Sequence, residues 1–168
     1  FIGYSGNLLW NLHHEMALIS PKLGEMVAFR KIFDAIPPES AVDEASIEAI
    51  MKEFHLDLKY IPDAIVFNKG PENLSDFISQ RRRIETGHLW LMENSDYSVS
   101  SQNKGLLLNL AIKELKKDKE KIFFLFGTAV VEMYSRFLGW YDYKVRKKNP
   151  FKWDIANSTK KLNKEIKQ

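Results

Sequence analysis

Three consecutive arginines, Arg81, Arg82 and Arg83, follow Gln80 and precede Ile84, with Gly87 and His88 one turn further on. The stretch falls in a helix expected from just after Pro71 to about Asn94. Each helical step turns the chain by about 100°, so three successive arginines cannot share one solvated face. Arg81 and Ile84 lie on a stripe with Phe77 and His88, and Gln80, Arg83, Ile84 and Gly87 fall on the adjoining one. At least one guanidinium therefore points to a side that also carries apolar residues, where it needs an anion or a set of acceptors. Phosphate suits the planar guanidinium fork well, whereas a solvated basic face with one structural salt bridge is the plainer alternative. The second chemical pair is Asp43-Glu44. It opens a helix expected to end at Phe54, and the helix dipole favours a carboxylate in a first turn. That accounts for one acid and leaves the other free for different work.

Several elements must position these groups. A helix from about Asn7 to Ile19 has Leu8, Leu9, Leu12, Met16 and Leu18 or Ile19 as its apolar side, and Pro21 ends it. Lys22 to Glu25 is expected as a turn and Met26 to Phe29 as a short buried strand ending at Arg30. Ser40 to Asp43 resembles a capping box. Ala64 to Phe67 is expected as a second strand, and Asn68 to Pro71 as the loop into the arginine helix. Leu106 to Leu115 is expected as an amphipathic helix with Leu108, Ala111, Ile112 and Leu115 on its apolar side. Residues 122–131 are uncharged and largely apolar, but Glu132 and Arg136 interrupt the run at i, i+4 spacing, where they can pair. A buried or membrane-surface helix stopping at Gly139 is expected there. Adjacent His13 and His14 diverge by about 100° on a helix and make a poor metal pair.

The chain has 168 residues, enough for one domain with a real core. It has no cysteine, which excludes disulfides, thiolate metal sites and thiol catalysis. The net charge of +3 is uneven: residues 141–168 hold nine Lys or Arg against three Asp or Glu, leaving the rest net acidic. A basic tail suits an anionic surface or simply keeps a terminus soluble. Phe1 stands where Met would begin a chain and no signal-peptide pattern follows, so a preceding N-terminal portion is expected.

Three ordered pieces resemble the C-terminal half of a family 2 glycosyltransferase over roughly residues 20–92. Gly24-Glu25-Met26-Val27-Ala28-Phe29-Arg30 is similar to a family strand that carries Gly and ends in Arg. Val42-Asp43-Glu44 stands where the family has a Glu-Asp pair, and the Leu58 to Val66 stretch looks like its strand, Pro and strand. Gln80-x-x-Arg83-Ile84 resembles the family's Gln-x-x-Arg-Trp, with Ile84 for the Trp that stacks on a growing polysaccharide. The acid pair is reversed, and the chain contains no Asp-x-Asp.

The resemblance implies an α/β, helix-rich fold: the C-terminal part of a GT-A domain at residues 1–98 with a few strands, then an α-helical extension with a basic tail at 99–168. It implies inverting transfer of a sugar from a nucleotide-diphosphate donor to an acceptor hydroxyl on a polysaccharide, glycan or lipid-linked molecule. A carboxylate must take the hydroxyl proton, and Glu44 is the candidate, supported by Asp43. Gln80, Arg82, Arg83 and Ile84, with Gly24, Glu25 and His88, are the candidate substrate and diphosphate contacts; a core role for His88 stays open. A divalent cation, Mg or Mn, is expected, with its ligands mostly outside this chain. The expected location is cytoplasmic, with peripheral contact on the inner membrane face and no nucleic acid. The alternative is a non-enzymatic helical module that binds an anionic membrane surface or nucleic acid through its basic helix and tail.

Overall fold

The computed structural model describes residues 1–95, 97–100, 103–117 and 122–148. Five helices order these residues: α1 (Ile2–Ile19), α2 (Asp43–Glu53), α3 (Leu74–Asn94), α4 (Lys104–Lys117) and α5 (Ile122–Lys144). No strand forms among the described residues, so the expected α/β GT-A architecture is overturned. The two runs expected as strands, residues 26–29 and 64–67, are irregular. A strand is held by the ladder of a neighbour, and no neighbouring strand exists here to supply one. Their apolar side chains accordingly stand in solvent, with Met26 66% and Phe67 92% exposed.

The helices pack as two joined groups. In the first, Leu8, Leu12 and Met16 of α1 form a buried cluster with Leu110 of α4, flanked by Leu106, Leu107 and Leu125. Glu15 and Lys113 close the rim of that contact at 2.6 Å. In the second, Val42, Ala45 and Ala49 of α2 and its entry meet Leu91 of α3 and Val99, with Ile84, Trp90 and Tyr97 against them. α1 begins at Ile2, several residues before the expected Asn7. Its Ser5 hydroxyl lies 2.8 Å from that of Thr128, which fixes a close crossing with α5.

Local chemistry sets the ends of α2 and α3. Asn73 caps α3 by accepting the Asp76 N–H at 2.8 Å. Val42, not Ser40, is the cap residue of α2 and has no side-chain cap. The Ser40 hydroxyl instead accepts the Val42 N–H and meets the Ser46 hydroxyl at 2.7 Å, bracing the turn from outside. α2 ends on His55 in the left-handed region at φ 56°. There the His55 and Leu56 N–H groups return to the Lys52 and Met51 carbonyls in a Schellman closure.

α5 packs most extensively on α3, and its register is the main surprise. Gly139 does not stop the helix; it is the point of closest approach. A Cβ there would meet the Arg82 carbonyl oxygen at 2.6 Å and Glu85 Cβ at 2.9 Å. The Thr86 hydroxyl spans the same crossing, donating to the carbonyls of Arg82 and Gly139. Gly139→Ala should therefore destabilise the protein by about 1–3 kcal/mol, the usual range for overpacking against unyielding backbone. Chemical denaturation measures this; an unchanged midpoint would show that the helices separate at no cost.

Candidate functional site

The arginine run splits three ways. Arg81 donates through Nε and Nη2 to Glu132 of α5 at 2.7 and 2.6 Å. Arg82 makes the same bidentate contact with Asp142 at 2.5 and 2.6 Å. Arg136 adds contacts to Glu132 at 3.0 Å and Glu85 at 3.4 Å, so Glu132 and Arg136 do pair along α5, within a larger set. Burial pushes the Glu132 carboxyl up, and the guanidiniums of Arg81 and Arg136 more than reverse it, leaving it below the ordinary carboxylate range. Asp142 holds Arg82 firmly protonated. These two arginines are structural partners of α5.

Arg83 turns to α2. Its Nη1 donates to the Ala41 carbonyl at 3.3 Å. Burial lowers its proton affinity, and the charges of Glu44 and Asp43 oppose that loss. Two exposed carboxylates and one half-buried guanidinium, some forty positions apart in the chain, thus share one electrostatic neighbourhood. Gly87 makes the approach possible. A Cβ at that position would lie 3.1 Å from both Ala41 Cβ and Val42 Cγ1, so the entry to α2 rests directly on the α3 backbone.

The other candidate residues are placed as follows. Gln80 is half-buried one turn before Arg83. Ile84 packs into the α2–α3 cluster as a core side chain. Gly24 and Glu25 are exposed in the irregular segment after α1. His88 is half-buried; burial and the charges of Arg81, Arg136 and Lys22 push it down to about 3.

Three residues not expected at the site adjoin it. Lys22, half-buried, is driven down by burial, while Glu48 and Glu44 pull it back and Arg81 adds to the lowering. His13 is pushed down to about 3 by burial, then by Lys22 and Arg81, and lies within reach of His88. Glu48, only 2% exposed, accepts the Leu23 N–H at 2.9 Å and the Tyr97 hydroxyl. Burial raises its carboxyl, and those hydrogen bonds resist the rise. A lysine after a proline looks like a solvated turn, so Lys22 carried little signal. Glu48 sits one turn after Glu44 among apolar neighbours, a legible mark of an inward acid.

Among the described residues, no group of three or more His, Cys, Asp or Glu is arranged to hold a metal ion. The divalent cation implied by the resemblance is expected to draw its ligands mostly from outside this chain. Comparison with protein-family models, with curated proteins and with solved structures returns no match.

The two lowered histidines have a direct consequence for acid stability. Each is neutral in the folded chain down to about pH 3, whereas an unfolded histidine takes a proton near 6.5. The unfolded state binds more protons across that window, so stability is complete above pH 6.5 and falls as pH drops toward 3. Thermal melts should therefore decline from the histidine range downward, before the carboxylates titrate. Replacing His13 and His88 by Gln should flatten the upper part of that slope, and an unaltered slope would place both rings in contact with water.

Proposed function

We propose that the Asp43-Glu44 and Arg83 face is the acceptor and diphosphate side of a sugar-transfer site. The reaction is inverting transfer from a nucleotide-diphosphate sugar to an acceptor hydroxyl. The observation that carries the reading is the Arg83 guanidinium donating to the Ala41 carbonyl at the entry to α2, within the electrostatic reach of both Glu44 and Asp43.

A hydroxyl attacks well only as its proton leaves, and a carboxylate at the attacking oxygen removes it. Glu44 takes that proton as the oxygen bonds to the anomeric carbon. The bond to the diphosphate breaks with its electron pair on the phosphate oxygen, where negative charge grows. Arg83, with Gln80 one turn before it on α3, meets that charge. Asp43 and Glu44 balance Arg83 before a ligand arrives, which makes its partial burial tolerable without phosphate. Ile84 packs inward and offers the acceptor no flat surface, so the reading favours an acceptor that is not a chain in transit.

Calorimetric titration with UDP, GDP and inorganic pyrophosphate tests the phosphate half of the site. Arg83→Ala should weaken diphosphate binding by about ten- to a hundredfold, the worth of one charge-assisted contact. Glu44→Gln should leave that affinity within about threefold, because it keeps the shape and removes no donor. Transfer, followed as release of nucleoside diphosphate from UDP- or GDP-sugars, should be lost in Glu44→Gln. An unaltered dissociation constant in Arg83→Ala, or undiminished transfer in Glu44→Gln, overturns the assignment of that residue.

A further inference from the structure

α5 is built inside out. The residues that face α3 and α1 are Thr128, Glu132, Ser135, Gly139 and Asp142, a stripe of small and polar side chains at alternating four- and three-residue spacing. On the other side Phe123, Phe126, Val130, Met133, Phe137 and Trp140 repeat at the complementary spacing, and all are exposed. Phe123 is 84% and Phe126 68% exposed, values far from those of a soluble core helix. Phe1 extends the patch by stacking on Phe124 at 6.4 Å. An apolar stripe from Phe123 to Trp140 of the 23-residue helix is larger than scattered surface hydrophobes explain and marks an interaction surface.

The chemistry along the stripe identifies its partner. Its C-terminal end carries Trp140 and Tyr141, amphipathic rings suited to a boundary between hydrocarbon and water. Lys147 and Lys148 follow within the next turn, while Lys144 is ion-paired to Glu93 of α3, and Arg146 lies 3.7 Å from Asp142 with its guanidinium over the Tyr141 ring at 5.3 Å. Aromatic residues beside a cluster of cations match the level of phosphate headgroups at an anionic bilayer. By length and composition α5 passes as a spanning helix. Its inner face rules against a crossing, because it is ion-paired to Arg81, Arg82 and Glu85 of α3, groups that hydrocarbon would strip of water.

We propose that α5 lies in the plane of an anionic phospholipid surface, with its outer stripe inserted among the acyl chains and its C-terminal cations on the headgroup phosphates. α3 and the Asp43-Glu44/Arg83 face then stay on the aqueous side of the helix. This placement stands on the α5 surface alone, independently of the chemistry proposed at α2.

Co-sedimentation of the full chain with vesicles tests it, using phosphatidylcholine–phosphatidylglycerol mixtures against phosphatidylcholine alone. The mixture should bind it and release it as salt rises, with a blue shift of tryptophan emission. Phe126→Ser with Phe137→Ser removes two exposed rings and should weaken partitioning by about a hundredfold while the melting curve is unchanged. Lys147→Asn with Lys148→Gln should weaken binding to the anionic vesicles and leave the residual binding to phosphatidylcholine untouched; Asn suits the φ of 52° at residue 147. Vesicle binding that survives the double serine variant overturns the proposal. So does failure to bind either vesicle, whether the chain is then a monomer or a dimer that the serine variant disperses; the latter would give the stripe to a second copy.

Discussion

The bidentate pairing of two successive arginines of α3 with two acids of α5 is the constraint on which the rest of the architecture depends. The buried side of α5 is made of small and polar residues, Thr128, Ser135, Gly139 and Asp142, and supplies little apolar area to drive the contact. What aligns them is the geometric demand of Arg81 for Glu132 and of Arg82 for Asp142, with Gly139 between them allowing the backbones to close. Removing one member of such a half-buried pair strands the other charge and costs about 3–5 kcal/mol. The register of α5 is therefore fixed to the residue, and both of its faces follow from it.

Once Arg81 and Arg82 are committed to α5, Arg83 has only the α2 side left. Helical geometry thus divides one basic run between two tasks: two arginines hold the scaffold and the third meets the acids at the start of α2. Gly87 completes the division by letting the Ala41–Val42 turn settle on α3 one turn away. Behind this contact, His13, His88 and Lys22 sit in a region where burial favours their neutral forms. Glu132 and Glu48 are the acids that share it.

The positions of the helices were legible from apolar periodicity, but not every inward face, since Leu108 and Ile112 of α4 and Phe54 at the end of α2 stand exposed. Leu8, Leu12 and Met16 lie inward as their spacing requires, and α3 is capped just after Pro71. The need of the arginines for anions was legible too, but not that acids of α5 would supply two of them, since that pairing joins residues fifty to sixty positions apart. The strands failed for a physical reason. A short apolar run such as Ala64 to Phe67 states a preference for burial without stating what will bury it, and here nothing does. α5 differs in another way: its apolar content suggested a buried or membrane-surface helix, and it is its small and polar residues, not its apolar ones, that repeat at core spacing. At the site, the nearness of Asp43 and Glu44 to Arg83 follows from the start of α2, the middle of α3 and one close glycine. Lys22 gave no signal, because its partial burial is imposed by the fold and not by its own neighbours in the chain.

The exposed stretch between α1 and α2 has one more implication. α1 is held by α4 through Leu110, by α5 through Ser5 and Thr128, and by Tyr60 through His14, none of which involves residues 24–39. Those residues are mostly solvent-exposed, their ordering limited to features such as the Phe29–Phe33 ring stack. Backbone continuity through that stretch is thus dispensable to the docking of α1. A polypeptide severed there would behave as two complementing pieces, the first helix reassembling on the remainder as a separate molecule.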